Sequence, residues 1–268
     1  MTAPRSFMRT TLALTYSANV GYLTLLPPEG KPPTLDHEVM ADFEQVLDEL
    51  TLRAGSLVAV VLQSASPKFF CAGANLNVMA NIDETTIGPW VRRGHGLMNR
   101  LEQLPLPVIA RVEGYAMGGG LELAMACDFI VASSQAQFAQ SEARLGLVTG
   151  WGGCFRLERR VGLARAKELI FTGRTFGAEE AVRLGVAEWQ GDRDALDRHL
   201  HDLLSQLSLS SRFAIKEMKQ ILARCHGATL DENRELEVDA SQRSLREGDG
   251  RTRLDAFFLA RKARGSSA

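Results

Sequence analysis

Residues 9–26 alternate between apolar and polar positions in the manner of half-buried strands. Thr11-Leu12-Ala13-Leu14-Thr15 and Val20-Gly21-Tyr22-Leu23-Thr24-Leu25, separated by a polar Ser17-Ala18-Asn19 turn, predict a hairpin. Pro27-Pro28-Glu29-Gly30-Lys31-Pro32-Pro33 reads as a stiff loop. From Asp36, an N-cap candidate, Val39, Met40, Phe43, Val46, Leu47 and Leu50 recur at helical spacing up to Gly55. Leu57-Val58-Ala59-Val60-Val61-Leu62 is apolar throughout, the pattern of a strand buried on both faces, and further strands are predicted at 107–112 and 129–132. Helices fall between them at about 84–104 and 119–126. After about residue 190 the strand signals stop and helical stretches follow at roughly 193–208, 211–226, 229–245 and 251–263. The pattern therefore predicts an α/β core followed by a helical C-terminal part.

Composition narrows the class of function. The 268 residues, 45% hydrophobic, suffice for one substantial core. A formal net charge of −1 supplies no overall basic field for nucleic acid or an anionic membrane surface. No apolar run approaches the roughly 20 residues of a membrane span, and Met1-Thr2-Ala3-Pro4-Arg5-Ser6 leads into alternation rather than a secretory apolar stretch, so a cytoplasmic location is expected. Cys71, Cys127, Cys154 and Cys225 lack C-x-x-C spacing, which suggests neither a zinc site nor a disulfide framework. His37, His95, His199, His201 and His226 stand in no nucleophile setting.

The chemistry concentrates around glycines. In Gly114-Tyr115-Ala116-Met117-Gly118-Gly119-Gly120-Leu121-Glu122, three consecutive glycines close a strand-like run and open a helix, exposing main-chain N–H groups to an approaching ligand. Glu122 sits among Leu121, Leu123, Ala124 and Met125, where an unpaired buried charge would be costly. Glu142, in Gln140-Ser141-Glu142-Ala143-Arg144, sets a second carboxylate beside apolar and glycine positions. Each has an ordinary explanation as well, Glu122 as a helix N-terminal charge and Glu142 as a partner of Arg144. Phe70-Cys71-Ala72-Gly73-Ala74-Asn75-Leu76 brings a second loop into a helix, so N–H donors from Ala74 and Gly119 suit an oxyanion, although both segments also read as tight turns before helices.

Phe70-Cys71-Ala72-Gly73-Ala74, the 114–124 stretch, Cys127-Asp128, Ala136-Gln137-Phe138-Ala139-Gln140-Ser141-Glu142, Leu145-Gly146-Leu147 and Gly150-Trp151-Gly152-Gly153, in this order, resemble the crotonase, or enoyl-CoA hydratase/isomerase, superfamily. The resemblance spans most of residues 10–190, and Ala256-Phe257 with Arg261-Lys262 resembles that family's C-terminal trimerisation segment. It implies a spiral of ββα units over residues 1–190, a helical oligomerisation segment over 191–268, a homotrimer or dimer of trimers, and an acyl-CoA thioester as substrate, with coenzyme A part of that substrate and no tightly bound cofactor or metal. Ala74 and Gly119 would form the oxyanion hole, and Glu122 and Glu142 match the two glutamates of members that hydrate enoyl-CoA. Lys31, Ala72, Gly73, Leu76, Gly118, Trp151, Phe257 and Arg261 complete the set expected around the acyl-CoA.

Departures qualify the match. Asn75 and Asn77 stand where the family commonly has aspartate and lysine, Thr149 where it commonly has proline, and Pro32-Pro33-Thr34-Leu35 replaces an asparagine-containing segment. Lys31, Arg261 or Lys262 would substitute for the missing loop lysine toward CoA phosphate, and Trp151 reads equally as acyl-pocket wall or as core aromatic. Competing readings are an enoyl-CoA isomerase, a thioester hydrolase or C–C lyase of the same superfamily, and a non-catalytic acyl-CoA-binding relative. Dinucleotide binding is disfavoured because Gly118-Gly119-Gly120 is not G-x-G-x-x-G.

Overall fold

The computed structural model describes residues 7–265. Strands β1 (Phe7–Met8), β2 (Leu12–Ser17) and β3 (Val20–Leu25) precede α1 (His37–Arg53); β4 (Ala59–Ser64) and β5 (Phe69–Cys71) precede the single-turn α2 (Leu76–Met79) and α3 (Ile87–Glu102). Next come β6 (Val108–Val112), β7 (Tyr115–Met117) and α4 (Gly119–Met125), then β8 (Phe129–Ser133), β9 (Gln137–Ala139) and a 3₁₀ turn at Glu142–Leu145. Helices α5 (Gly153–Val161) and α6 (Leu163–Thr172), strand β10 (Phe176–Gly177), α7 (Ala178–Leu184) and β11 (Trp189–Gly191) lead to α8 (Arg193–Leu209). The chain closes with α9 (Arg212–Arg224), α10 (Leu230–Arg246) and α11 (Gly250–Gly265).

The strands form two sheets, of order β1-β2-β3-β4-β6-β8-β11 and β10-β9-β7-β5. Neighbours β4, β6 and β8 run parallel in the larger sheet, and β5, β7 and β9 run parallel in the smaller one. The pairs β4–β5, β6–β7 and β8–β9 thus each contribute one strand to each sheet, the expected ββα spiral, whereas β1, β2 and β3 all join the larger sheet.

The hairpin forms as predicted: β2 and β3 pair antiparallel from Leu12↔Leu25 to Ser17↔Val20. Its two-residue turn places both Ala18 (φ 44°) and Asn19 (φ 63°) in the left-handed region that matches strand twist, a position natural for Asn and strained for Ala. Helix α1 starts at Asp36, whose Oδ1 accepts from the N–H groups of Glu38 and Val39, and it buries Val39, Met40, Phe43, Val46, Leu47 and Leu50. Within β4, Ala59-Val60-Val61-Leu62 is buried throughout, as its unbroken apolar run requires.

One compact unit ends at Leu204 and a second begins at Ser205, so the division falls inside α8; the expected boundary at 190/191 lies within β11, just before that helix. In the second unit α9 and α10 pack together, with Glu217 buried and accepting from Arg243 Nη2 at 2.5 Å. A capping box at Thr229 and Glu232 starts α10. Phe257, Phe258 and Leu259 of α11 are exposed.

Candidate active site

The smaller sheet organises the site. Cys71 pairs with Ala116, and Met117 with Ala139, so β5, β7 and β9 end side by side and their outgoing segments meet. Clefts beyond the carboxyl ends of parallel strands are the usual place for a ligand in α/β proteins. Here they open into a cavity of about 510 Å³ whose lining includes Ala72, Gly73, Ala74, Gly118, Gly119, Glu122, Glu142 and Trp151.

From β5 the chain turns through Gly73 (φ +90°). Leu35 bridges to it by donating its N–H to Gly73 O and accepting from Asn75 N–H, each at 2.8 Å. Because N–H groups alternate in direction along an extended segment, this leaves the Ala74 N–H facing the other way. From β7, Gly118 adopts φ 51° and ψ −120°, a conformation that a side chain would strain, and Gly119 begins α4. The two exits touch: a Cβ on Gly73 would lie 3.0 Å from Gly119 N and 2.7 Å from Met117 O, and one on Gly119 would lie 3.4 Å from Ala74 N. Glycine is therefore required at Gly73 by close main-chain approach and at Gly119 by the Trp151 ring, 2.5 Å from such a Cβ, and the main chains at Ala74 and Gly119 lie side by side at the cavity.

Glu122 projects from the first turn of α4 and is only 1% exposed. Its Oε1 accepts from the N–H groups of Trp151 (2.8 Å) and Gly153 (2.7 Å). Burial pushes its carboxyl up to about 7, assisted by the charge of Glu142 and opposed by the two main-chain donors and Arg156. Glu142 leaves β9 two residues after Gln140, whose Nε2 donates to both carboxylate oxygens at 3.0 Å. Burial raises this carboxyl as well, against the pull of its own main chain and of Gln140. A Cβ on Gly118 would lie 2.8 Å from Glu142 Oε1, so the second carboxyl stands directly over the glycine turn. Glu122 does stand in the first turn of α4, as its ordinary reading had it, but buried; Glu142 is not the partner of Arg144, which instead donates from Nε to Thr172 O. The charge of Glu142 thus stands against ionisation of Glu122, adding to the effect of burial.

Trp151 resolves into both of its readings at once. It lines the cavity yet is 2% exposed, packed at 5.4 Å against Trp90 and wedged so closely that a Cβ on Gly94 would meet its Nε1 at 2.0 Å. Leu76 also lines the cavity, whereas Lys31 lines an adjoining groove of about 520 Å³ with Asn75, Leu76 and Asn77. Phe257 and Arg261 lie exposed on α11 of the second unit. Asn75 caps α2 by accepting from Asn77 N, and its amide donates to Asp36 Oδ2. Thr149 accepts through Oγ1 from Cys154 N at 3.2 Å, holding the turn that carries the donors to Glu122. Sequence reasoning gave no role to Gln140 or Arg156: an amide and an arginine in amphipathic segments read as solvent-facing, and only the packing shows both to be buried.

A two-sheet ββα spiral whose cavity brings two glycine-bearing main-chain turns against a buried and a half-buried carboxyl defines an acid–base enzyme of crotonase type. The model of the Enoyl-CoA hydratase/isomerase family matches residues 15–264, and the chain belongs to that family. It is 33% identical over 231 residues to the short-chain-enoyl-CoA hydratase of Clostridium acetobutylicum, covering 86% of this chain and 88% of that protein. It is 31% identical over 250 residues to an enoyl-CoA isomerase/hydratase of Mycosarcoma maydis, covering 91% of each. The crystal structure of an enoyl-CoA hydratase from Bacillus anthracis superposes with a TM-score of 0.87 at 30% identity, over 94% of this chain and 97% of that one.

Proposed function

We propose that this protein is an enoyl-CoA hydratase, adding water across the 2,3-double bond of an enoyl-CoA thioester. The observation that carries the reading is the buried Glu122 beside the half-buried Glu142, both raised by desolvation, in the cavity that Ala74 and Gly119 also line. The thioester oxygen sits between the N–H groups of Ala74 and Gly119, which oppose the charge that grows as the double bond polarises; one such donor is worth about 3 kcal/mol of transition-state stabilisation. Glu122, ionised and oriented by Trp151 and Gly153, accepts a proton from water as the water oxygen bonds to C3. The π pair of C2=C3 moves toward the thioester, and Glu142, protonated, delivers its proton to C2. One proton leaves water and one reaches carbon, so the pair ends with the proton exchanged and returns to its starting state through solvent.

The CoA portion is assigned to the cavity mouth and the adjoining groove with Lys31, where Ala72, Gly73, Leu76, Gly118 and Trp151 meet it on the cavity side. Phe257 and Arg261 belong to the same expectation on the α11 side. Assembly as a homotrimer or dimer of trimers is supported by the exposed Phe257, Phe258 and Leu259, apolar surface of the kind subunits cover. A cytoplasmic setting is supported by four free cysteines. Among the described residues no helix is long and apolar enough to cross a membrane.

A second reading, isomerisation of a 3-enoyl to a 2-enoyl thioester, is favoured by the Mycosarcoma maydis relative. Crotonyl-CoA and 3-hexenoyl-CoA separate the two. Loss of the conjugated enoyl absorbance with formation of 3-hydroxybutyryl-CoA supports hydration; turnover of 3-hexenoyl-CoA to the conjugated isomer without turnover of crotonyl-CoA supports isomerisation instead.

A further inference from the structure

We propose that Arg156 is a positioning residue for Glu122, acting from behind the cavity through the Trp151–Gly153 turn. The inference rests on the acid–base reading of Glu122 above. Arg156 lies on α5, is 2% exposed, and is absent from the cavity lining. Burying an arginine is costly unless its fork is satisfied, and here three partners satisfy it. Nη1 donates to Trp151 O at 2.7 Å, Nη2 to Glu102 Oε2 at 2.7 Å and to Asn99 Oδ1 at 2.9 Å, and Nε to Glu102 Oε2 at 3.2 Å. Trp151 is therefore held from both sides, its C=O by Arg156 and its N–H by Glu122. The main chain of Arg156 donates to Gly152 O at 2.9 Å, so the same residue closes the turn that brings Gly153 N–H onto Glu122. A Cβ on Gly152 would meet Arg156 Nη1 at 2.1 Å, which shows how tightly the fork fills this turn.

The charge acts in the same direction as the geometry. Arg156 favours the ionised form of Glu122, opposing burial and Glu142. The other charged or titratable groups around this arrangement are Glu102, which takes the fork and lies 3.7 Å from Arg159, and His95, whose imidazole is held low by burial and then by Arg156. A cation fixed behind the base thus keeps it available at neutral pH while the fork fixes the two donors that aim it.

The test compares R156M, R156K and the charge-balanced R156Q/E102Q with the parent in two readouts. Hydration of crotonyl-CoA is measured across pH, and the Glu122 carboxyl is titrated by difference infrared spectroscopy using E122Q to identify its band. R156M is expected to lower kcat at least tenfold with KM little changed, and to move the acid limb of kcat/KM upward by about half to one pH unit, less than the roughly 1–3 units of a cation in direct contact with a carboxyl. R156K is expected to keep the limb near the parental pH while still losing kcat, because one ammonium does not span Trp151 O and the Glu102–Asn99 pair. R156Q/E102Q carries the test should R156M fail to fold, and is expected to shift the limb upward as well. Lower thermal stability with an unmoved limb and an unmoved carboxyl band would assign Arg156 a merely structural role and overturn the inference. A parent that titrates as described but does not hydrate crotonyl-CoA would count against the hydratase reading and leave the Arg156 coupling standing.

Discussion

Replacing Glu122 by glutamine tests the site through stability as well as rate. The side chain keeps its shape, and its remaining carbonyl oxygen still accepts from Trp151 and Gly153 N–H, so the turn is retained. What is removed is a charge in a site where burial lifts the carboxyl from an ordinary 4.5 to about 7. Below the lower value the group is protonated in both folded and unfolded chains and has no differential effect. Above about 7 it is ionised in both, and the folded chain carries the full desolvation penalty, so this group's destabilising effect grows as pH rises through the interval. With 1.36 kcal/mol per pH unit of displacement, the penalty reaches roughly 3 kcal/mol. Urea denaturation of parent and E122Q at fixed protein concentration, from pH 5 to pH 8.5, should show E122Q ahead by under about 1 kcal/mol at the acid end and by about 3 kcal/mol at the alkaline end. Over the same series kcat for crotonyl-CoA should fall by about 10²- to 10⁴-fold, the range for loss of a general base. Stability curves that run parallel across this pH range would refute the argument that Glu122 is held in a desolvated, charge-opposed site.

Three further outcomes follow from the same geometry. The kcat/KM profile for hydration should rise with pH through about 7, as Glu122 ionises; a profile flat across that interval would contradict its assignment as the base. Gly118→Ala puts a methyl at φ 51° and 2.8 Å from Glu142 Oε1, and should cost about 1–3 kcal/mol in denaturation with a larger loss of kcat than of substrate binding. Ala18→Gly, in the turn far from the site, should raise stability by up to about 1 kcal/mol in the same experiment and leave kcat unchanged, since it relieves a left-handed residue.

Much of this molecule was legible before its coordinates, and the boundary of legibility is physical. The hairpin, the capped helix at Asp36, the buried strand near Val60 and the four late helices each rest on periodicity over six or more residues, and each forms close to its expected limits. The three-residue strands β5, β7 and β9, which organise the site, are too short to show a period, and β10, β11 and helices α5 to α7 went unread. Glu122 and Glu142 stood out because a carboxylate among leucines, alanines and glycines asks for an explanation, whereas Gln140 and Arg156 carry none of that contrast although the fold buries both. Trp151 showed the limit from the other side: its glycine neighbours in sequence gave no sign that Gly94 and Gly119, distant along the chain, are the residues that make room for it.

The account's central claim is that Glu122 and Glu142 act as one acid–base unit, and a double-mutant cycle on crotonyl-CoA hydration tests it most directly. With E122Q and E142Q each lowering kcat by about 10²- to 10⁴-fold, the double variant is predicted to be little worse than the poorer single variant, as for residues that function only together. A double variant whose loss equals the product of the two single losses, or a single variant as active as the parent, would contradict it.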